Sequence, residues 1–201
     1  MGKKIGILGG TFDPFHKGHF MLAETAYEQF GLDEVWIMPN GNPPHKKNIE
    51  QTDFDIRCEM IELAVTGADY MKLCKVEGSE DSYHYTYQTL EYFHEKYPNH
   101  EFYFIIGADS LNDFPTWREP AKIASLCTLL VACRDKSGTK ELKAKIVEME
   151  TLFGGRYLLM NSPKVDAASS EIREMTAVGK DISEYVGAEV CAYIQKFKLY
   201  K

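Results

Sequence analysis

The sequence predicts an α/β protein, a doubly wound and mostly parallel sheet arranged in three layers, α/β/α. Two observations carry this. Short apolar runs alternate with stretches of helical periodicity along the whole chain, the pattern of parallel strands joined by crossover helices. The residues of unusual chemistry collect directly after the apolar runs, at 9–19, 40–47, 107–117 and Arg134. In such sheets ligands bind beyond the carboxyl ends of the strands, where the strand order reverses.

In chain order, residues 5–8 are apolar except for Gly6 and form the first strand, ended by Gly9 and Gly10. Over residues 19–30, Phe20, Ala23, Ala26, Tyr27 and Phe30 share one side of a helix that Gly31 stops. Residues 35–38 are a second strand ended by Pro39. A polar loop over 40–52 contains Pro43 and Pro44, and a helix over 53–65 starts at a Thr52 or Asp53 cap. Further strands are expected at 71–76, 102–106, 128–133 and 157–160. Helices are expected at 86–96, 120–125, 140–152, 170–178 and 187–197. No repeat, linker or long charge run interrupts the pattern, so residues 1–201 read as one domain.

Composition excludes several classes. Hydrophobic residues make up 44% and charged residues 26% of the 201, which excludes a disordered chain. The apolar runs are far too short for a membrane span, and the first residues are too sparsely apolar for a secretory signal. A net charge of −7 disfavours general binding to nucleic acid or anionic membrane, though not to a small anion held by local basic residues. The five cysteines are odd in number and form no C-x-x-C pair, so they read as buried free thiols of a cytoplasmic protein.

The segment from Gly9 to His19 is the most informative. Two glycines after the first strand let a ligand approach the backbone closely. The spacing is neither the dinucleotide G-x-G-x-x-G fingerprint nor a P-loop. Instead His16-Lys17-Gly18-His19 stands at the entrance to a helix, and residues three apart face the same way. Unpaired N–H groups and the positive end of the helix dipole favour a phosphate there. A zinc pair would need a third ligand that the neighbouring sequence does not offer.

Gly9-Gly10-Thr11-Phe12-Asp13-Pro14, with His16, Gly18 and His19, resembles the nucleotidyltransferase superfamily that carries an H-x-G-H signature. Within it, the chain is most similar to bacterial nicotinate mononucleotide adenylyltransferases, over essentially its whole length. The supporting stretches are Asn42-Pro43-Pro44-His45-Lys46, Arg57 with Glu59-Met60, Tyr85-Thr86 with Thr89-Leu90, Gly107-Ala108-Asp109 and Pro115-Thr116-Trp117. The closing motif of the family, approximately Ile-Ser-Ser-Thr/Ser-x-Ile-Arg, stands here as Ala167-Ala168-Ser169-Ser170-Glu171-Ile172-Arg173. The two alanines depart from it and imply one polar contact fewer to the phosphates or to the loop itself.

The resemblance implies a Rossmann-like nucleotidyltransferase fold and adenylyl transfer from ATP to nicotinate mononucleotide, with Mg²⁺ held by phosphates and no metal ligand from protein side chains. It assigns His16, His19, Lys46 and Arg173 to catalysis. Gly9, Gly10, Thr11, Phe12, Gly107, Asp109, Arg134, Ser169 and Ser170 go with the two histidines and Arg173 to ATP. Thr86, Trp117, Lys46 and Arg57 go to the mononucleotide. Read from the residues alone, Asp109 either caps a turn or accepts a ribose hydroxyl, and Ser169-Ser170-Glu171 is a capped helix start that Arg173 suits to phosphate. Trp117 lies off any periodic apolar face, and the resemblance stacks it on the pyridine ring. The substrates are small molecules, neither nucleic acid nor membrane, and a homo-oligomer is compatible. The competing readings are transfer to nicotinamide mononucleotide or phosphopantetheine, and a catalytically silent nucleotide-binding module. His84, His94, His100 and the tyrosines at 83, 85, 87 and 92 read as structure.

Overall fold

In the computed structural model, which describes residues 2–41, 51–78, 85–133, 138–163 and 168–201, the first apolar run forms β1 (Lys4–Gly10). It is followed by α1 (Lys17–Phe30), β2 (Glu34–Pro39), α2 (Phe54–Ala64), β3 (Met71–Leu73) and α3 (Thr86–Lys96). Then come β4 (Glu101–Gly107), α4 (Ala108–Asp113), a 3₁₀ turn (Phe114–Thr116), α5 (Pro120–Leu126) and β5 (Thr128–Cys133). The chain continues through α6 (Thr139–Phe153), β6 (Arg156–Asn161), α7 (Ser169–Ala177), α8 (Ser183–Val186) and α9 (Ala188–Phe197).

The strands form one sheet in the order β3-β2-β1-β4-β5-β6, and every neighbouring pair is parallel. The chain builds outward from β1 to β3, returns beside β1 as β4 and builds outward the other way. The reversal therefore lies between β1 and β4, where Leu8 is level with Ile37 on one side and Ile105 on the other.

Alternation along the strands makes two cores. Ile5, Ile7, Phe102, Phe104, Leu129 and Val131 face a layer that includes Leu90, Leu111, Ile123 and Ile146. Leu8, Ile105, Leu130 and Ala132 face Leu22, Ala23, Ala26 and Ile61. A strand buried on both faces reads as a continuous apolar run, which is why β1, β4 and β5 stand out in the sequence. A third apolar cluster joins Met60 of α2 to Ile172, Val186, Val190 and Ile194, with Leu199 and Tyr200 packed on it.

Cys58, Cys127, Cys133 and Cys191 are buried and Cys74 is partly so. Burial pushes the thiols of Cys58 and Cys127 up, to about 11 and about 12. Among the described residues no helix is long and apolar enough to cross a membrane.

Three elements differ from expectation. Helix α4 starts directly after β4 where a loop is expected, because Gly107 itself serves as its N-cap. The strand expected over 71–76 ends at Leu73, three residues short. The helix expected over 187–197 is preceded by the extra short α8, and Gly187, with φ of 84°, separates the two.

Candidate active site

The loop between β1 and α1 is held in an unusual conformation. Phe12 has φ of 52° yet is 2% exposed, a left-handed backbone that costs a non-glycine residue about 1–3 kcal/mol and persists only where its surroundings enforce it. The ring is the reason. It sits edge-on to Phe15 and His19, with centroids 5.4 and 4.9 Å away. A side chain at Gly10 would collide with it, the nearest ring carbon lying 2.8 Å from the position of a Cβ.

That loop delivers two imidazoles to the start of α1. His16 is the N-cap and is 6% exposed; its Nδ1 accepts the Gly18 N–H at 3.1 Å. The Nδ1 of His19 accepts the N–H of His16 at 3.3 Å. With both Nδ1 atoms accepting, the neutral rings carry their protons on Nε2. The rings stack, 3.8 Å between centroids and 28° between planes. The structure thus presents two Nε2–H donors side by side at a helix N-terminus.

A second helix start meets the same loop. Ser169 Oγ of α7 donates to the carbonyl of Pro14 at 3.0 Å, and Arg173 Nη1 donates to the carbonyl of Asp13 at 2.7 Å. Ala168 is the N-cap of α7 and gives it no side-chain cap bond. Ser170 is exposed.

Near the ends of the two strands at the reversal stand two glycines, Gly9 and Gly107, that no close neighbour requires. A Cβ at Gly9 would make only ordinary contacts, the nearest 3.5 Å from Phe104, and one at Gly107 would meet no atom within 4 Å. The open space beyond Gly107 continues into a cavity of about 380 Å³ lined by Gly107, Asp109, Ala132, Cys133, Leu142 and Lys145. Asp109 is exposed within the first turn of α4 and does not cap it. Trp117 is half-buried, its ring 5.5 Å from that of Phe114 and 6.2 Å, edge-on, from that of Phe104. Thr86 is the first residue of α3.

Arg57 is placed differently from expectation. It is 1% exposed, and its guanidinium donates to four backbone carbonyls: Thr52 at 2.9, Thr11 at 2.6, Asn40 at 2.9 and Gly41 at 3.2 Å. Burial lowers its pKa, and the charge of Asp13 opposes that shift. Such a group fastens the exits of β1 and β2 to the start of α2; a ligand has no face of it to reach. Lys46, with the Pro43-Pro44 stretch, and Arg134 lie outside the described residues.

Asp13 is a residue that sequence reasoning left unassigned. It is buried, and its carboxylate accepts the Thr52 N–H at 3.1 Å and the Tyr200 hydroxyl at 2.6 Å. Its place within the glycine-rich segment was the available signal. Nothing in the spacing marks Tyr200.

Comparison with known proteins gives the same picture. A family model described as cytidylyltransferase-like matches residues 7–175. A protein of Desulfitobacterium hafniense (strain Y51), named probable nicotinate-nucleotide adenylyltransferase, is 37% identical over 199 residues, covering 99% of this chain and 96% of its own. One of the same name from Clostridium botulinum (strain Loch Maree / Type A3) is 36% identical over 196 residues, covering 97% and 98%. Among solved structures, the Plasmodium falciparum nicotinic acid mononucleotide adenylyltransferase complexed with NaAD matches with a TM-score of 0.80 at 25% identity, over 98% of this chain and 97% of that one.

Proposed function

The chain belongs to the cytidylyltransferase-like family, and we propose that within it the chain transfers the adenylyl group of ATP to nicotinate mononucleotide, giving nicotinate adenine dinucleotide and pyrophosphate. The observation that carries this reading is the meeting of two helix starts on one loop, at the sheet's reversal point. One start holds the stacked His16 and His19, the other holds Arg173. That is an arrangement of donors for a row of phosphates, and the relatives supply the identity of the acceptor nucleotide.

The chemistry asks for little proton transfer. A phosphomonoester has a second pKa of about 6, so the mononucleotide phosphate is largely ionised at neutral pH. One of its oxygens attacks the α-phosphorus of ATP, the bond from that phosphorus to the bridging oxygen breaks, and pyrophosphate leaves with the electron pair. The protein's task is alignment and charge. The Nε2–H groups of His16 and His19 meet the α-phosphate oxygens, where charge grows as the fifth bond forms. Arg173 and the N–H groups of Ser169 and Ser170 hold the pyrophosphate end. The glycines at 9, 10 and 107 and the backbone of Thr11 and Phe12 admit the nucleotide, and Asp109 takes a ribose hydroxyl at the mouth of the cavity. Lys46 and Arg134 keep the phosphate and ATP roles that the resemblance gives them. Arg57 moves from substrate contact to positioning.

Thr86 and Trp117 are assigned to the nicotinate ring, Trp117 by stacking. Among the described residues no group of three or more His, Cys, Asp or Glu is placed to hold a metal ion. Mg²⁺ carried on triphosphate oxygens, as the resemblance implies, would supply positive charge to the departing pyrophosphate. We read the whole chain as one domain that acts in the cytoplasm on small molecules. Its charge of −7 disfavours general binding to nucleic acid.

Pyrophosphate release tests the reading, with Mg²⁺–ATP and each of nicotinate mononucleotide, nicotinamide mononucleotide and phosphopantetheine. A carboxylate-binding pocket leaves donors unpaired against an amide, so nicotinate mononucleotide should be preferred at least about a hundredfold in kcat/KM. Equal kcat/KM for the two pyridine nucleotides would overturn the acid-selective pocket, and release with phosphopantetheine alone would overturn the substrate.

A further inference from the structure

Beyond the last helix the chain does something costly. Lys198 and Tyr200 have φ of 53° and 63°, left-handed conformations that non-glycine residues adopt only when held. The turn is held by the N–H groups of Lys198 and Leu199, which donate to the carbonyls of Gln195 and Ile194 at 3.3 and 3.1 Å. Leu199 and Tyr200 pack on the apolar cluster of Met60, Ile172 and Ile194. At the far end the Tyr200 hydroxyl donates to Asp13 Oδ1 at 2.6 Å, with the Thr52 side chain and the Met60 sulfur also beside it. We propose that Tyr200 is a positioning residue that latches the loop between β1 and α1 into its phosphate-binding form.

The reasoning follows the bonds. Asp13 is buried, and a buried carboxylate must have its oxygens satisfied. One oxygen takes the Thr52 N–H, the other takes the Tyr200 hydroxyl. The main-chain carbonyl of the same residue accepts Arg173, and that of its neighbour Pro14 accepts Ser169. Asp13 thus stands between the last turn of the chain and the start of α7. The stacked histidines follow three and six residues later, His16 at the end of the same loop and His19 in the first turn of α1. Burial and the adjoining carboxylate push the phenol's pKa up, so the hydroxyl remains a donor at neutral pH. An apolar ring alone could fill the space against Met60; the hydroxyl is the part that addresses the site. Removing it frees Asp13 to turn towards other donors, and Arg173 and Ser169 lose a fixed partner.

The inference rests on the functional reading for its kinetic consequence and on the hydrogen bonds alone for its structural one, so both are measured. Tyr200→Phe deletes the hydroxyl and keeps the ring. The KM for ATP should rise about fivefold, the size of one lost hydrogen bond, while the KM for nicotinate mononucleotide hardly changes and the melting temperature falls by only about 2–4 °C. Hydrogen exchange of peptides covering residues 11–16 should quicken, with exchange in β4 and β5 unchanged. Equal rises in both Michaelis constants, or a larger fall in melting temperature with exchange accelerated throughout, would mark Tyr200 as general packing and overturn the latch. Unchanged exchange over 11–16 would overturn it too. If the unaltered protein transfers no adenylyl group, the functional reading fails, and the exchange measurement still decides the latch.

Discussion

At the scale of single residues, the proposed site is a set of donors held in direction by their neighbours. His19 illustrates it: the N–H of His16 binds its Nδ1 and the rings of Phe12 and Phe15 flank it, so its Nε2–H has one direction to point. A fixed donor aimed at developing charge is worth about a hundredfold or more in kcat. His19→Ala should lose about that much in kcat, measured by pyrophosphate release on protein shown to be folded by circular dichroism. A variant that is folded and turns over normally would remove His19 from catalysis. The pair of histidines is legible in the sequence because helical spacing alone puts them together. Arg57 is not legible in the same way. Its partners are carbonyls at positions 11, 40, 41 and 52, and a main-chain carbonyl leaves no signature in residue type. The Asp13–Tyr200 bond, across 187 positions, hides for the same reason: only the fold brings the two together.

At the scale of elements, α7 carries a testable omission. Its N-cap, Ala168, has extended backbone (φ −121°, ψ 141°) and offers no side-chain acceptor to the first turn. A serine there would cap the helix and add about 1 kcal/mol, within the usual range for that exchange. Ala168→Ser should therefore raise the melting temperature by about 2–4 °C, as expected for a chain of this size. ATP affinity should not improve, because the new hydroxyl competes with phosphate for the same N–H groups. Tighter ATP binding by calorimetry, without added stability, would show instead that the alanine leaves a phosphate contact unmade. Elements with strong periodicity or full burial were legible: the expected spans for β5 and α3 coincide with the structure. Helix α4 was not, since six residues are too short to show a period and Pro115 just beyond them reads as loop. Helix α8, four residues long, escaped for the same reason.

At the scale of the whole molecule, the sheet's order decides where the chemistry stands, and one half-buried carboxyl couples stability to pH. Glu77 follows β3 and accepts the Thr89 hydroxyl of α3 at 2.8 Å. Burial raises its pKa from 4.5 to about 6, against the opposing effect of that hydrogen bond. The folded protein therefore holds this proton more tightly than the unfolded chain does. Its contribution to stability is complete below pH 4.5 and is lost as the pH climbs through about 6. The shift corresponds to about 2 kcal/mol. Glu77→Gln should escape that loss, so in urea unfolding it should gain on the parent protein by about that amount between pH 4.5 and 7.5. A gap independent of pH would show that Glu77 keeps its charge within the fold. The carboxyl edge of the sheet as the place of the site is the part of the global arrangement that sequence reasoning reached, because odd residues gather at strand ends. Strand order itself came only with the structure.

The thiols lend the molecule a built-in clock. Cys127 lies at the end of α5 under the sheet and Cys58 within α2, both shut from solvent and both held in the unreactive protonated form by burial. An alkylating reagent can reach either one only in chains that have opened. Because the two sit in different layers, comparing how fast each is labelled would tell a breathing of one face from the parting of the whole sheet, with no probe introduced from outside.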